Sequence, residues 1–486
     1  MRRLARLALS ATAALTLLTG IGSTPASATA PAPGAPSAGD RLFPGLGNGG
    51  YDVLHYDLSF GYDARTKLVD ASTRIVARAT QSLSRFDLDF DGNTIHRLTV
   101  NGAAAHYTRT GGELVVTPAR PIHRRAGFVV EVTYRADPRA KHHCPAVPPL
   151  TGSAWLPTKD GFGLAGQPNC AHTVFPSNDV PSDKATYTTT VTTPDTLQSV
   201  ANGALTGVRH HAGRVTRRFV SSDPIATELV QVAVGRFTVV RHAGPHGLPL
   251  RDVVPADVAA QTKPLLAHES DHIAWMERQV GMPFPFQDYG VLGLHADFGF
   301  ALETQTVSLY TADTLTTNDP GIQTILVHEL AHQWFGDYVA PATWSDVWLN
   351  EGHATWYENA YGQKLGLGSV TSVMRAEYEN GDEYRAQVGP VAKPKAARTM
   401  FSDEVYGGGA LVLYALRQKV GDRTFRAIEH HWLTAHAGRS AGTDDFIDLA
   451  SRVSHRDLHP FLRAWLYGTK TPPMPGHPGW HVAEAG

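Results

Sequence analysis

Short runs in which apolar and polar residues alternate dominate the chain from residue 47 to about residue 243. Residues 56–60 and 86–90 alternate strictly, and glycine or asparagine turn residues separate such runs. A period of two places alternate side chains on the same face of a strand, which is the pattern of half-buried β-strands. We therefore predict an all-β sheet domain over 47–243, with sheets packed on each other.

From about residue 244 the spacing of apolar positions changes to the three- or four-residue period of helices. A small strand region over 288–310 interrupts the helical pattern. The sequence thus predicts an α+β fold in which a mainly helical domain over 244–470 follows the β domain. The predicted helices cover 256–280, 320–336, 346–365, 366–380, 406–420, 422–437 and 443–452.

The first residues of the chain have the pattern of a targeting segment. Three arginines lie within the first six residues, an apolar run covers 7–21, and Ala26-Ser27-Ala28 is a small-residue cleavage signal. No later stretch reaches eighteen apolar residues, the length that a membrane-spanning helix needs. We expect a signal peptide over 1–28 and a secreted, extracellular protein without a membrane anchor.

Residues 29–46 are rich in Ala, Pro, Gly and Ser, which predicts a flexible leader, and 471–486 form a Pro-rich tail.

The charge composition excludes one class of partner. The 486 residues carry 43 basic and 45 acidic side chains, a net charge of −2, so the chain lacks the basic surface of nucleic-acid-binding proteins. We expect no nucleic-acid partner and a monomer. The export route, general secretion or twin-arginine, stays open.

The chain contains two cysteines, Cys144 and Cys170. Their wide spacing is unlike that of cysteines that share a zinc ion. An exported protein meets an oxidising environment, so an even pair predicts one disulfide, with two free thiols as the alternative.

The segment 328–332 has the pattern His-Glu-x-x-His, and Glu351 follows in an Asn-Glu-Gly sequence. Residues four apart share one face of a helix, so His328 and His332 can bind the same metal ion while Glu329 projects beside it. A catalytic zinc site uses three protein ligands and keeps a fourth position open for water. We predict that His328, His332 and Glu351 bind one Zn²⁺ per chain.

Chance is the alternative, because a chain with 24 histidines contains this motif by accident about once in twenty. The local pattern argues against chance: Asn318 or Asp319 can cap a helix, Pro320 suits its first turn, and Gly336 can end it. Glu358 lies seven residues after Glu351, on the same helix face, where it can orient a ligating histidine. A solvated surface carboxylate is the alternative for Glu358.

Several segments resemble the aminopeptidase N family of zinc metallopeptidases, which are gluzincins with a thermolysin-like catalytic domain behind an N-terminal β-sheet domain. The similar segments occur in the family's order over nearly the whole mature chain. They are residues 51–57, 175–184, 328–337, 344–352 and 405–409.

The resemblance implies roles for several side chains. Tyr406 falls where the family has a tyrosine that stabilises the oxyanion, although from the residues alone it could be a core tyrosine. Asp337 joins Glu358 among the residues that support the metal ligands. Phe300 and Met400 suggest an apolar lining for the pocket of the N-terminal side chain.

The resemblance also implies how a substrate amine is bound. Residues 299–304 are similar to the family's Gly-Ala-Met-Glu-Asn sequence, in which the glutamate binds the free α-amine of the substrate. Glu303, Ala301 and Gln167 are thereby predicted to bind substrate. Gln167 stands where many members have a second amine-binding glutamate, and it can accept a hydrogen bond but brings no charge. For Glu303 the alternative is an ordinary strand-edge carboxylate.

These assignments define a secreted zinc-dependent aminopeptidase. Zinc would activate a water molecule, Glu329 would act as general base, and Glu303 would receive the N-terminal ammonium of a peptide. Two alternatives stay open: a zinc endopeptidase with the same core, and a catalytically idle binding protein. Many family members carry a further C-terminal helical domain, and because the chain ends soon after residue 466 we expect a more open cleft.

Overall fold

The computed structural model describes residues 30–142, 144, 146–150 and 152–483. The predicted signal peptide therefore lies outside the described residues. From Pro31 onward the chain forms one compact unit. No helix within the described ranges is long and apolar enough to cross a membrane.

The strands concentrate in the first half of the chain, as the alternating pattern predicts. They are β1 (Ala32–Pro33), β2 (Tyr51–Tyr62), β3 (Val69–Ala79), β4 (Leu83–Asp89), β5 (Thr94–Val100), β6 (Ala103–Ala104), β7 (His106–Thr110), β8 (Glu113–Thr117), β9 (Gly127–Ala136), β10 (Trp155–Pro157), β11 (Phe162–Leu164), β12 (Ala185–Pro194), β13 (Gln198–Ala201), β14 (Ala204–His211), β15 (Arg214–Ile225), β16 (Val232–Gly235), β17 (Phe237–Ala243), β18 (Pro249–Pro255), β19 (Val291–Leu294), β20 (Ser308–Thr311), β21 (Ala340–Pro341) and β22 (Ser440–Ala441).

The helices follow in the second half. They are α1 (Ala259–Leu266), α2 (Glu269–Val280), α3 (Ala312–Leu315), α4 (Pro320–His332), α5 (Trp348–Lys364), α6 (Val370–Val388), α7 (Asp403–Val420), α8 (Asp422–Ala435), α9 (Thr443–Ser454) and α10 (His459–Tyr467).

The N-terminal β domain is built on a large mixed sheet with strand order β14-β15-β12-β2-β3-β9-β5-β6. Strands β2 and β12 pair in parallel, with Tyr56 opposite Tyr187, and their rings stack at a centroid distance of 5.0 Å. Alternate residues of β2 are buried, among them Leu58 and Phe60. Two smaller sheets, β1-β4-β8-β7 and β10-β11-β16-β13, complete this domain. The predicted sheet domain is confirmed.

The second domain combines the sheet β17-β18-β19-β20 with the helices. Helices α4, α5 and α7 surround an apolar core that includes Trp334, Trp348 and Leu413. The mainly helical domain predicted from the three- and four-residue spacing is confirmed. Its sheet begins at Phe237, however, so the boundary drawn after residue 243 separates β17 from its antiparallel partner β18.

The flexible leader predicted over 29–46 is wrong for its described part. Leu42 and Phe43 are buried in the core of the helical domain. The Asp40 carboxylate accepts a hydrogen bond of 2.7 Å from the Trp344 backbone N–H, and the Arg41 guanidinium donates to the Pro394 carbonyl at 2.8 Å. Composition suggested a linker because Ala, Pro and Gly prevail there, but these anchoring residues fix the segment to distant structure.

Two further expectations need refinement. The helix predicted over 256–280 is two helices, since α1 ends at Leu266 and α2 begins at Glu269. The Pro-rich tail also packs on the protein within its described part: Met474 is buried, and the Trp480 ring stacks on Tyr414 at 5.9 Å. Isolated aromatic residues give no periodic signal, so the sequence pattern did not predict this contact.

Candidate active site

Helix α4 carries the His-Glu-x-x-His motif, and its ends follow the sequence signals. The Asp319 side chain accepts a hydrogen bond of 2.7 Å from the Gly321 N–H, and Pro320 occupies the first turn. Just beyond the helix, Gly336 has a φ of +136°, and a Cβ there would meet Asn350 at 3.1 Å. The tight turn at Gly336 therefore lets α4 and the start of α5 lie side by side.

Three buried ligand atoms converge between α4 and α5. Glu351 Oε2 lies 3.5 Å from His328 Nε2 and 3.3 Å from His332 Nε2. Ligands held at about 2.0–2.2 Å in a tetrahedron stand about 3.3–3.5 Å apart, so the spacing fits zinc. Glu351 Oε2 is buried and has no hydrogen-bond partner among the described residues, as suits an atom reserved for a cation.

The second ring nitrogen of each histidine has its own partner. His328 Nδ1 lies 2.9 Å from Glu358 Oε2, as the seven-residue spacing of the two glutamates predicted. His332 Nδ1 faces the Phe335 carbonyl at 3.2 Å. These contacts direct both Nε2 atoms toward Glu351 and fix the ring orientations.

Asp337 does not support a metal ligand through its side chain, so that prediction is wrong. Both of its carboxylate oxygens are buried without a hydrogen-bond partner among the described residues. Burial, and then the charge of Glu303, raises the pKa of Asp337 well above its usual range. Its backbone is held instead, because the Lys184 ammonium donates to the Asp337 carbonyl. The carbonyl of Phe335 takes the place that the sequence assigned to the carboxylate.

Two glycines allow α5 and α7 to touch, which brings Tyr406 close to Glu351. A Cβ at Gly352 would lie 2.9 Å from the Gly409 backbone, and a Cβ at Gly409 would lie 2.9 Å from the Gly352 Cα. Any larger side chain at this crossing would separate the two helices. The Asn-Glu-Gly and Tyr-Gly-Gly-Gly segments therefore have a packing role beside their chemical one.

Glu329 and Tyr406 line the same cavity as the three predicted zinc ligands. Glu329 is buried, and burial raises the pKa of its carboxyl group to about 8. The Tyr406 ring stacks against the His328 ring, with centroids 6.0 Å apart and planes 15° from parallel. Burial, and then the charge of Glu351, raises the Tyr406 pKa well above its usual range, so the phenol remains a proton donor.

Glu303 and Gln167 meet in the same cavity although they come from different domains. Gln167 Nε2 donates a hydrogen bond of 2.6 Å to Glu303 Oε1, and Glu303 is 3% exposed. Gln333 holds the loop in place by donating to the Glu303 carbonyl at 3.1 Å and accepting from the Thr306 N–H at 2.8 Å. Ligand atoms of Glu303, Glu329 and His332 lie within 4.8 Å of one another.

These groups line one cavity. Apolar side chains form the wall beside the carboxylates, as the sequence suggested for Phe300. Met400 is not among them, because it is fully buried in the helical core. The neighbouring Phe401 lines the cavity instead. The apolar wall consists of Pro149, Leu150, Phe300, Ala301 and Phe401.

A disulfide joins Cys144 to Cys170, with a Cα–Cα distance of 5.5 Å, and confirms the pairing predicted from the even cysteine count. It connects the chain just before Pro149 and Leu150 to the chain just after Gln167. The bridge therefore ties one wall of the cavity to the segment that reaches Glu303.

Sequence reasoning missed several residues of the site. Pro149 and Leu150 lie in a loop without periodicity, and Phe401 had no signal beyond its apolar character. Gln333 could have been identified from the sequence, because it directly follows the second histidine of the motif. A glutamine is unfavourable in an apolar core unless it is hydrogen-bonded. The Phe335 carbonyl is a backbone group and has no sequence signature.

Comparisons with known proteins agree with this geometry. The model of the peptidase family M1 domain matches residues 265–465. Aminopeptidase A of Gloydius brevicauda is 27% identical over 318 residues, which cover 62% of this chain and 33% of that protein. The chain thus spans about a third of the length of the first curated relatives that it matches.

Solved structures match over more of the chain. An M1 zinc metallopeptidase from Deinococcus radiodurans has a TM-score of 0.78 and 28% identity, covering 93% of this chain and all of that one. A mutant of a Deinococcus radiodurans M1 zinc metallopeptidase, bound to a Tyr-Ser-Ala substrate, has a TM-score of 0.79 and 28% identity, with coverages of 91% and 100%. The ligand geometry, the family match and these likenesses agree. Residues 265–465 thus form a peptidase family M1 domain, in which His328, His332 and Glu351 are placed to hold a zinc ion.

Proposed function

We propose that the protein is a zinc-dependent aminopeptidase that removes N-terminal residues from peptides. The observation that carries this proposal is the position of Glu303, a buried carboxylate within 4.8 Å of ligand atoms of Glu329 and His332. An ammonium group bound there leaves room for about one residue between the amine and the metal ligands. Cleavage would then fall after the first residue of the peptide.

The chain's own residues supply the acid–base chemistry. When bound, zinc lowers the pKa of a coordinated water toward about 7 and polarises the scissile carbonyl. Glu329 accepts the water proton and later delivers it to the leaving amine. The Tyr406 hydroxyl donates a hydrogen bond to the oxyanion as the carbonyl becomes tetrahedral.

Charge supports selection of a free amine. Glu303 offers a carboxylate to the ammonium, and a charge-assisted hydrogen bond in a buried site is strong. Gln167 uses its N–H to hold Glu303 and keeps its carbonyl oxygen available as a second acceptor for the ammonium. One full charge and one dipole would therefore bind the amine, where two carboxylates serve in many family members.

The wall of the cavity indicates which N-terminal side chains fit. Pro149, Leu150, Phe300 and Phe401 present apolar surface next to the amine site. Burying an apolar side chain there is favourable by about 25 cal/mol for each Å² removed from water. We propose a preference for large apolar or aromatic N-terminal residues.

One comparison of substrates tests the proposal. Rates are measured on a fluorogenic leucine amide with a free amine and on its N-acetylated twin. The aminopeptidase assignment predicts that the free amine is cleaved much faster, because only it can pair with Glu303. Equal or faster cleavage of the acetylated twin would favour the zinc endopeptidase instead. A panel of N-terminal side chains, run with and without a chelator, then tests the apolar preference.

We also propose that the enzyme is secreted and acts as a monomer. The pattern of the first 28 residues and the Cys144–Cys170 disulfide support export, since disulfides persist in oxidising compartments. Mass analysis of protein from the culture medium tests this: a mature chain that begins after residue 28 is expected, and retention of the intact chain inside the cell would contradict it. Light scattering should give the mass of one chain.

A further inference from the structure

A second cluster of metal-ligating side chains lies in the helical domain, apart from the active site. It comprises His242 on β17, Asp252 on β18 and Glu269 at the start of α2, and their ligand atoms lie within 4.8 Å of one another. In the β17–β18 register, Asp252 pairs with Val240, so Asp252 and His242 lie on the same face of the sheet. The cluster therefore joins a strand pair to a helix.

The distances within the cluster are short. His242 Nε2 lies 3.0 Å from Asp252 Oδ2 and 3.0 Å from Glu269 Oε2. The two carboxylates are almost fully buried, with exposures of 1% and 3%, whereas the imidazole is 32% exposed. A ligand could thus reach the buried carboxylates from solvent past the histidine.

Hydrogen bonds do not account for the Glu269 carboxylate. Asp252 Oδ1 accepts from the Val291 N–H at 3.1 Å, and Asp252 Oδ2 has the imidazole as its partner. Neither oxygen of Glu269 has a hydrogen-bond partner among the described residues, although Oε2 is near the ring nitrogen. One ring nitrogen carries at most one proton, so it cannot serve two carboxylates with good geometry.

Charge leads to the same conclusion. With a neutral imidazole the cluster holds two buried negative charges, and with an imidazolium it still holds one. The amino end of α2 offers Glu269 only about half a positive charge. Buried charges persist when they are paired or when they coordinate a metal, and a buried carboxyl group can otherwise take up a proton. Either a shared proton or a metal cation can therefore neutralise the cluster, and the unpartnered Glu269 oxygens favour the cation.

We propose that His242, Asp252 and Glu269 form a second metal site that binds a divalent transition-metal ion such as Zn²⁺. An imidazole with two carboxylates suits zinc or a similar metal better than calcium or magnesium, which take oxygen ligands. The present spacing of 3.0 Å is within a few tenths of an ångström of the roughly 3.3 Å between tetrahedral zinc ligands. The ion would fasten the β17–β18 pair to α2 and so stabilise the folded state.

Metal analysis of the whole protein tests the proposal. The purified protein is loaded with zinc chloride, freed of loose metal by gel filtration, and measured by mass spectrometry for zinc per chain. We expect about two ions in the unmodified protein and about one in His242→Ala and Glu269→Gln, because each variant removes one ligand. His295→Ala serves as the matched control, since that exposed histidine pairs with Asp257 elsewhere and should leave about two.

The active-site ion is distinguished by Glu351→Ala, which should keep the second ion and lose the first. Zinc-edge anomalous diffraction from crystals of the unmodified protein makes the test independent of how the variants fold. A peak bounded by His242, Asp252 and Glu269 is the expected result. No peak there, together with unchanged zinc in His242→Ala, would overturn the proposal and leave a cluster that shares a proton instead.

Discussion

The two ends of the catalytic cavity are built in different ways. At the metal end, the ligands and Glu358 come from two consecutive helices, and the His328–Glu358 contact spans 30 residues of sequence. At the amine end, Gln167 and Glu303 meet across 136 residues and two domains, beside a wall from a third segment. The metal end depends on local periodicity and the amine end on tertiary packing. Substitutions elsewhere in the chain should therefore leave the geometry of the metal end unchanged. The geometry of the amine end should change with them.

The largest effect is expected at the metal end from Glu329→Gln. The amide cannot accept the water proton, so kcat should fall by up to about 10⁴-fold while bound zinc is unchanged. Steady-state rates and metal analysis measure both quantities. Glu383→Gln, at an exposed position of α6, is the matched control and should behave as the unmodified enzyme. Full activity in Glu329→Gln would show that this residue is not the base.

The next effect is expected from Tyr406→Phe. Loss of one oxyanion donor should reduce kcat by about 10²- to 10³-fold, with little change in KM because the hydroxyl acts mainly in the transition state. Tyr107→Phe in the β domain is the control. A loss confined to KM would place Tyr406 in substrate binding instead.

The amine end is tested by Glu303→Gln. A charge-assisted hydrogen bond contributes about 1.5–3 kcal/mol, so kcat/KM on a free-amine substrate should fall by about 10- to 150-fold. The N-acetylated twin should lose nothing, which separates amine recognition from a general defect. Equal losses on both substrates would contradict the amine-binding role. Gln167→Ala should give a smaller loss, because it removes only a dipole and the donor to Glu303.

A milder change at the metal end is Glu358→Ala. His328 Nδ1 loses its partner, so the affinity for zinc should fall by about 10-fold. Activity should return when zinc is supplied in excess. Competition with a chelator of known affinity measures the change. Unaltered affinity would mean that the Glu358 contact does not orient the ligand.

The smallest effect on turnover is expected from the double variant Cys144→Ser with Cys170→Ser. The bridge closes a loop of 26 residues, so the free energy of unfolding should fall by about 3 kcal/mol. KM should rise with little change in kcat, because the bridge holds the wall of Pro149 and Leu150 and not the metal ligands. Denaturant unfolding and steady-state kinetics measure these. An altered kcat with an unchanged KM would contradict the expectation that the bridge acts on the cavity wall and not on the metal ligands.

The same distinction explains what the sequence could and could not predict. Spacing of three, four and seven residues placed His328, His332 and Glu358 on helix faces, and the alternating pattern found the β domain. Contacts set by three-dimensional packing have no such signal. The sequence predicts that Asp337 supports a metal ligand, but the Phe335 carbonyl does so. It also predicts that Met400 lines the cavity, but Phe401 does so. The composition of residues 29–46 predicts a flexible segment, and it cannot show that Asp40 and Phe43 dock on Trp344.

Zinc-edge anomalous diffraction from the purified enzyme tests the zinc centre most directly. A peak is expected at about 2.0–2.2 Å from His328 Nε2, His332 Nε2 and Glu351 Oε2. Active enzyme whose crystals lack a peak between these three atoms would show that they do not bind the catalytic ion.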